Sequence, residues 1–83
     1  MIEVTLYTKD GCHLCEEVAA KLTDLQERYP HHLTEVDITE DDDLFRRYRY
    51  AIPVVHVGDV ELRAPVTEEE LAGALHTAGQ GDA

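Results

Sequence analysis

Ile2-Glu3-Val4-Thr5-Leu6-Tyr7-Thr8-Lys9-Asp10-Gly11-Cys12-His13-Leu14-Cys15 alternates apolar and polar residues, breaks at Lys9-Asp10-Gly11, and then sets two cysteines three positions apart. The period of two reads as a β-strand, and the glycine after a lysine and an aspartate reads as its turn. Cys12 and Cys15 are the only cysteines of the chain. Where a strand hands over to a helix, the unpaired amides of the first helical turn favour a thiolate. A free cysteine has a pKa of about 8.5, and such a position lowers it by one to several units. Cys15, at i+3, carries its sulfur on the same side and one turn further in. Cys12 is therefore expected to attack a disulfide and Cys15 to displace what Cys12 captures, which is thiol–disulfide exchange.

Outward from this stretch, residues 12–29 read as a helix. Leu14, Val18, Leu22, Leu25 and Tyr29 share one face, and Pro30 ends it. Glu17–Lys21 and Asp24–Arg28 have the favourable i,i+4 order. Residues 33–38 alternate again and predict a second strand. Thr39 and Asp42 suggest a capping box for a short helix that buries Leu44, Phe45 and Tyr48. Residues 52–57 are β-branched with a leading proline, Gly58-Asp59 signals a hairpin, and residues 60–63 form the return strand. Thr67 and Glu70 make a second capping box, opening a helix with Leu71, Ala74, Leu75 and Ala78 on one face. Residues 79–83 are expected to be a flexible C-terminal tail.

The order is β-α-β-α-β-β-α, an α/β chain. A right-handed crossover makes the first two strands parallel, and the hairpin completes a four-stranded mixed sheet flanked by three helices. Eighty-three residues allow one domain, placed at 1–78. With 18 acidic against 7 basic residues the formal charge is −11, which repels nucleic acid and anionic membrane surfaces. No apolar run approaches the ~20 residues of a membrane span. The opening Met1-Ile2-Glu3-Val4 goes straight into strand-like sequence, so a cytoplasmic monomer is expected, where a purely structural disulfide does not persist.

Two other uses of the cysteines compete. They are either inert and buried, or they bind a metal. A structural zinc needs four ligands, which would require two histidines from His13, His31, His32, His56 and His76. His31 and His32 lie beyond the expected helix, roughly 25 Å from Cys12 at the helical rise, so no metal site is assigned. A copper-carrier domain also places a dithiol after its first strand, but it runs β-α-β-β-α-β and ends in a strand. A non-enzymatic metal carrier or partner-binding module using the same pair stays as the alternative. His13 either tunes the thiolate, against Glu16 and Glu17, or is a solvated loop side chain. Arg46, Arg47 and Arg49 form the one basic cluster. They reach a substrate carboxylate or, by preference, pair with Asp41, Asp42 and Asp43 on a solvated face.

The segment from Tyr7 to Cys15, the Ile52-Pro53 step opening the hairpin, and the closing helix together resemble the glutaredoxin-like branch of the thioredoxin fold. The resemblance spans residues 1–78 and implies a thioredoxin-like fold and an oxidoreductase. By that likeness Cys12 is the nucleophile and Cys15 the resolving thiol. Pro53 is similar to the family's cis-proline beside the dithiol, with Ile52 offering its main chain to an extended substrate. Lys9 resembles the lysine that glutaredoxins place near the thiolate and the glutathione carboxylate; with His13, Ile52 and Pro53 it is expected to bind substrate.

The chain departs from the family in three places. His13-Leu14 stands where glutaredoxins carry Pro-Tyr, and Arg63-Ala64-Pro65-Val66-Thr67 stands where they carry Gly-Gly and an acid. Leu6 stands where thioredoxins bury an aspartate. The reading is therefore of no tightly bound cofactor and of glutathione as a weakly coupled co-substrate. The partners are a disulfide-bearing protein or small molecule, with a thiol or a flavin reductase as electron donor.

Overall fold

The structure is a computed structural model that describes residues 1–81. Its elements are β1 (Ile2–Thr8), α1 (His13–Leu25), β2 (His31–Asp37), a 3₁₀ turn (Ile38–Glu40), α2 (Asp42–Tyr48), β3 (Val54–Val57), β4 (Val60–Arg63) and α3 (Glu68–Gly81). The strands lie in the order β2-β1-β3-β4. β1 runs parallel to β2 from Ile2↔His31 to Thr8↔Asp37. It runs antiparallel to β3 from Val4↔Val57 to Tyr7↔Val54. The β3–β4 hairpin closes at Val57↔Val60. This is the four-stranded mixed sheet flanked by three helices expected from the element order, and the thioredoxin-like arrangement that the resemblance implies.

Alternation sorts the side chains between two layers. Val4, Leu6, Val55 and Val57 meet Val18, Leu22 and Leu25 of α1 and Leu71 and Leu75 of α3. Tyr7 and Val54 point the other way, to Tyr48 and Ile38, with Leu44, Phe45 and Ile52 packed around them. β3 buries valines on both faces, Val54 toward α2 and Val55 and Val57 toward α1 and α3, with half-buried His56 its one polar residue. Gly58 (φ +58°) is the first of the two hairpin residues, the position where a II′ turn requires a positive φ.

Several boundaries differ from the sequence reading. α1 ends at Leu25, not Tyr29, because the residue before Pro30 is disfavoured in α geometry. The chain tightens first, with the Gln26 N–H donating three residues back to Thr23 O (3.2 Å), and one isolated α-type bond follows from the Tyr29 N–H to Leu25 O (2.8 Å). Tyr29 still packs on the core from this turn, and that is why it matched the helical face. β2 begins two residues earlier than expected, with the His31 N–H donating to Gln26 Oε1 (3.0 Å).

The capping box at Thr39 is replaced by two aspartate caps. Asp37 accepts from the Thr39 N–H (2.9 Å) and hydroxyl (2.6 Å), and Asp41 accepts from the Asp43 and Leu44 N–H groups at the start of α2. The Thr67–Glu70 box is formed: Glu70 N–H donates to Thr67 Oγ1 and Thr67 N–H to Glu70 Oε1, both at 3.1 Å. β3 starts at Val54, so Ile52-Pro53 precedes the strand instead of opening it. α3 continues through Gly79, Gln80 and Gly81, which the sequence reading put in a flexible tail; Asp82 and Ala83, the rest of that expected tail, lie outside the described residues. Ala78 packs on the core and the His76 ring meets the edge of Tyr29, contacts that hold the last turns despite their glycines.

Candidate functional site

The loop between β1 and α1 is a turn in which the Cys12 N–H donates to Lys9 O (3.3 Å) and Gly11 takes φ +78°. A positive φ at the third residue is the type II signature, and glycine adopts it without strain. The turn delivers Cys12 to the N-cap of α1 (φ −88°, ψ 98°), where its Sγ accepts the Cys15 N–H at 3.2 Å. The two cysteines form a disulfide, with their Cα atoms 5.3 Å apart. Cys12 is half-buried, whereas Cys15 is 1% exposed. Of the two, Cys12 is the more exposed and Cys15 is the enclosed one.

The other expected residues fall in two grooves, on the first turn of α1 and on the α2 side of the sheet. The Ile52–Pro53 bond is cis, and buried Pro53 lines a groove together with Leu14. The Ile52 N–H is taken up by Tyr48 O at 3.0 Å, and its side chain packs on the α2 side of the sheet. Lys9 is exposed in a second groove with Asp10, Glu16, Glu35, Asp37 and Glu40. Two hydrogen bonds from Thr39, side chain then backbone, hold the Asp37 carboxyl below its usual range. His13 is exposed, its Nδ1 3.7 Å from Glu16 Oε2 and its Nε2 3.6 Å from Glu17 Oε1. Its ring therefore engages the two carboxylates that follow it.

The far wall of the Leu14 groove is the stretch after the hairpin that stands where glutaredoxins carry Gly-Gly and an acid. Ala64, Pro65, Val66 and Thr67 form it, about fifty residues downstream, behind a second cis bond at Ala64–Pro65. The Lys21 Nζ reaches across to donate to Val66 O at 3.4 Å. The departure from the glutaredoxin pattern marks this segment in the sequence, but its place opposite Leu14 is set by tertiary packing.

A polar cluster sits on the α2 side. Glu61 accepts from Arg63 Nε (2.6 Å), His56 Nε2 (2.9 Å) and the Tyr48 hydroxyl (3.4 Å). The Arg63 hydrogen bond first, and the His56 one second, bring the Glu61 carboxyl down to about 2. Tyr7 stacks on Tyr48 at 4.8 Å, and burial, reinforced by Tyr48, pushes its hydroxyl pKa up. The arginines of α2 lie against neighbours: Arg46 pairs with Asp43, Arg47 lies over Tyr48, and Arg49 lies over Phe45 and Tyr50. His31 is buried at the start of β2 with Nδ1 2.7 Å from Tyr29 O. Among the described residues no group of three or more His, Cys, Asp or Glu is placed to hold a metal ion, and no helix is long and apolar enough to cross a membrane.

Comparison with known proteins agrees with this geometry. Residues 3–76 match the family described as Glutaredoxin-like domain (DUF836). The structural-genomics target protein XcR50 from X. campestris is 31% identical, with 89% of this chain and 96% of that one covered and a TM-score of 0.75. The protein Ne2328 from Nitrosomonas europaea is 29% identical over 87% and 88% of the two chains, with a TM-score of 0.74. Thioredoxin 1 from Thermosipho africanus is 12% identical over 96% and 97%, TM-score 0.75, a likeness of fold alone.

Proposed function

The chain belongs to the family of glutaredoxin-like domains, and from that premise we propose that it is a thiol–disulfide oxidoreductase working through Cys12 and Cys15. The observation that carries this reading is the N-cap geometry. The Cys15 N–H, one of the unpaired amides of α1, points at Cys12 Sγ, where it stabilises negative charge once the disulfide is opened.

In the reduced protein the Cys12 thiolate attacks one sulfur of a substrate disulfide. A bond forms between Cys12 Sγ and that sulfur, and the other leaves as a thiolate that takes up a proton. The Cys15 thiol then loses its proton and attacks Cys12 Sγ, expelling the second substrate thiolate and closing the Cys12–Cys15 disulfide. Two electrons pass to the substrate. An external thiol or a flavin-dependent reductase resets the pair. Burial of Cys15 suits this order, because it keeps the resolving sulfur from foreign disulfides while leaving it beside Cys12.

Glutathione is assigned a minor part. The wall opposite Leu14 is Pro65-Val66-Thr67, and Lys9 is outnumbered by carboxylates in its groove. The decisive experiment is Cys15→Ser, which is expected to accumulate a mixed disulfide at Cys12, detected by mass. No captured thiol in that variant, together with no reversible two-electron couple in the wild type, overturns the reading. Turnover with glutathione is expected to fall well below turnover with a thioredoxin-reductase system, and efficient glutathione-dependent turnover refutes that assignment.

A further inference from the structure

The first turn of α1 divides two grooves of opposite character. On one side Leu14, Val18, Pro53, Ala64, Pro65 and Val66 line a cavity of about 240 Å³. That is below the ~300 Å³ at which small-molecule pockets begin, and it suits one aliphatic side chain. Of the two charges at its edge, Glu17 faces the His13 ring, and Lys21 is tied to the cavity's own wall through Val66 O. On the other side Asp10, Glu16, Glu35, Asp37 and Glu40 surround a cavity of about 340 Å³, with Lys9 as the single base. Half-buried Cys12 is the N-cap of α1; in sequence it follows Gly11, which lines the acidic groove, and stands two residues before Leu14, which lines the apolar one. Leu14, directly before the buried cysteine, is 57% exposed although it is fully apolar.

Resting on the exchange chemistry above, we propose that the substrate is an oxidised protein segment with an aliphatic residue on one side of its cysteine and a lysine or arginine on the other. The aliphatic side chain covers Leu14 and fills the cavity against Pro53 and Pro65. The basic side chain enters the carboxylate-lined groove beside Asp10 and Glu16. Charge complementarity selects this occupant over an anionic one: five carboxylates face one lysine in that groove, on a chain of net charge −11. Glutathione disulfide carries its own carboxylates into the same field and is disfavoured for the same reason.

The test is a single turnover with pre-reduced, desalted protein and disulfide peptides that differ only beside the cysteine. Each disulfide reduced forms one Cys12–Cys15 disulfide, so the electrons balance without a recycling enzyme. A lysine-flanked peptide is expected to react about ten-fold faster than its glutamate-flanked twin at low salt, and the ratio is expected to shrink toward about two at 0.5 M salt. Asp10→Asn combined with Glu16→Gln should lower the lysine-to-glutamate ratio, and Leu14→Ser should lower the ratio of leucine-flanked to serine-flanked peptide. The neutral bis(2-hydroxyethyl) disulfide separates the two ways of failing. If it is reduced but the peptide ratios are near one, the substrate assignment is overturned and exchange stands. If neither it nor any peptide is reduced, both fall.

Discussion

On the face of the sheet covered by α1 and α3, the contacts are aliphatic: Val4, Leu6, Leu22, Val55, Leu71 and Leu75 are all at or near zero exposure. On the α2 face the same sheet meets stacked tyrosines, and a carboxylate held by an arginine, a histidine and a hydroxyl. Aliphatic burial is indifferent to pH and costs stability in proportion to the volume removed. A hydrogen-bonded carboxylate stabilises only while it is ionised. The two faces should therefore respond to different perturbations. α1 brings Cys12 and Cys15 from the aliphatic side, whereas Ile52 beside the cis bond packs on the α2 side.

The sharpest way to break the contrast is Leu22→Ala. Leu22 is fully buried between α1 and the sheet, and its truncation should cost about 2–5 kcal/mol in urea unfolding, by the same amount at pH 7 and at pH 4. Next comes Asp41→Ala, which removes the acceptor for two N–H groups at the start of α2 and should cost about 1 kcal/mol. Equal pH dependence of Leu22→Ala and the wild type would leave the difference between the faces to the third.

That third perturbation is acid. The Glu61 carboxyl is lowered from its ordinary 4.5 to about 2, so its stabilisation is present above pH 4.5 and is lost as pH falls through that window toward 2. In Glu61→Gln the unfolding midpoint should fall less steeply than wild type between pH 4.5 and 2; an unchanged acid limb would show that Glu61 does not hold the α2 face. The smallest effect is reserved for Arg46→Ala. Its pair with Asp43 is exposed, and the change should stay within about 0.5 kcal/mol.

What was legible in the sequence was local. The alternation of β1, the glycine turn and the i,i+3 cysteines placed Cys12 at a helix start, and the Thr67–Glu70 box was read correctly because its hydrogen bonds span three residues. The end of α1 was not legible, because Tyr29 reaches the core from a turn as well as it would from a helix. The start of α2 was misread because Asp37 and Asp41 outcompete Thr39 as caps, and spacing alone does not rank acceptors. The groove wall at Ala64 to Thr67 and the gathering of Tyr48, His56, Glu61 and Arg63 depend on tertiary packing, so no window of sequence displays them. His13 was left between two roles, and it is the geometry that turns its ring toward Glu16 and Glu17.

The cysteines are only three positions apart, so their disulfide closes a very small ring, one that an unfolded chain can also close. Oxidation and folding then form the sides of one thermodynamic cycle. Any difference in midpoint potential between the folded and the unfolded protein must equal, in free energy, the difference in folding stability between the oxidised and the reduced forms. Denaturing each form separately thus reports, without an electrode, how strongly the folded architecture favours the open thiols over the closed pair.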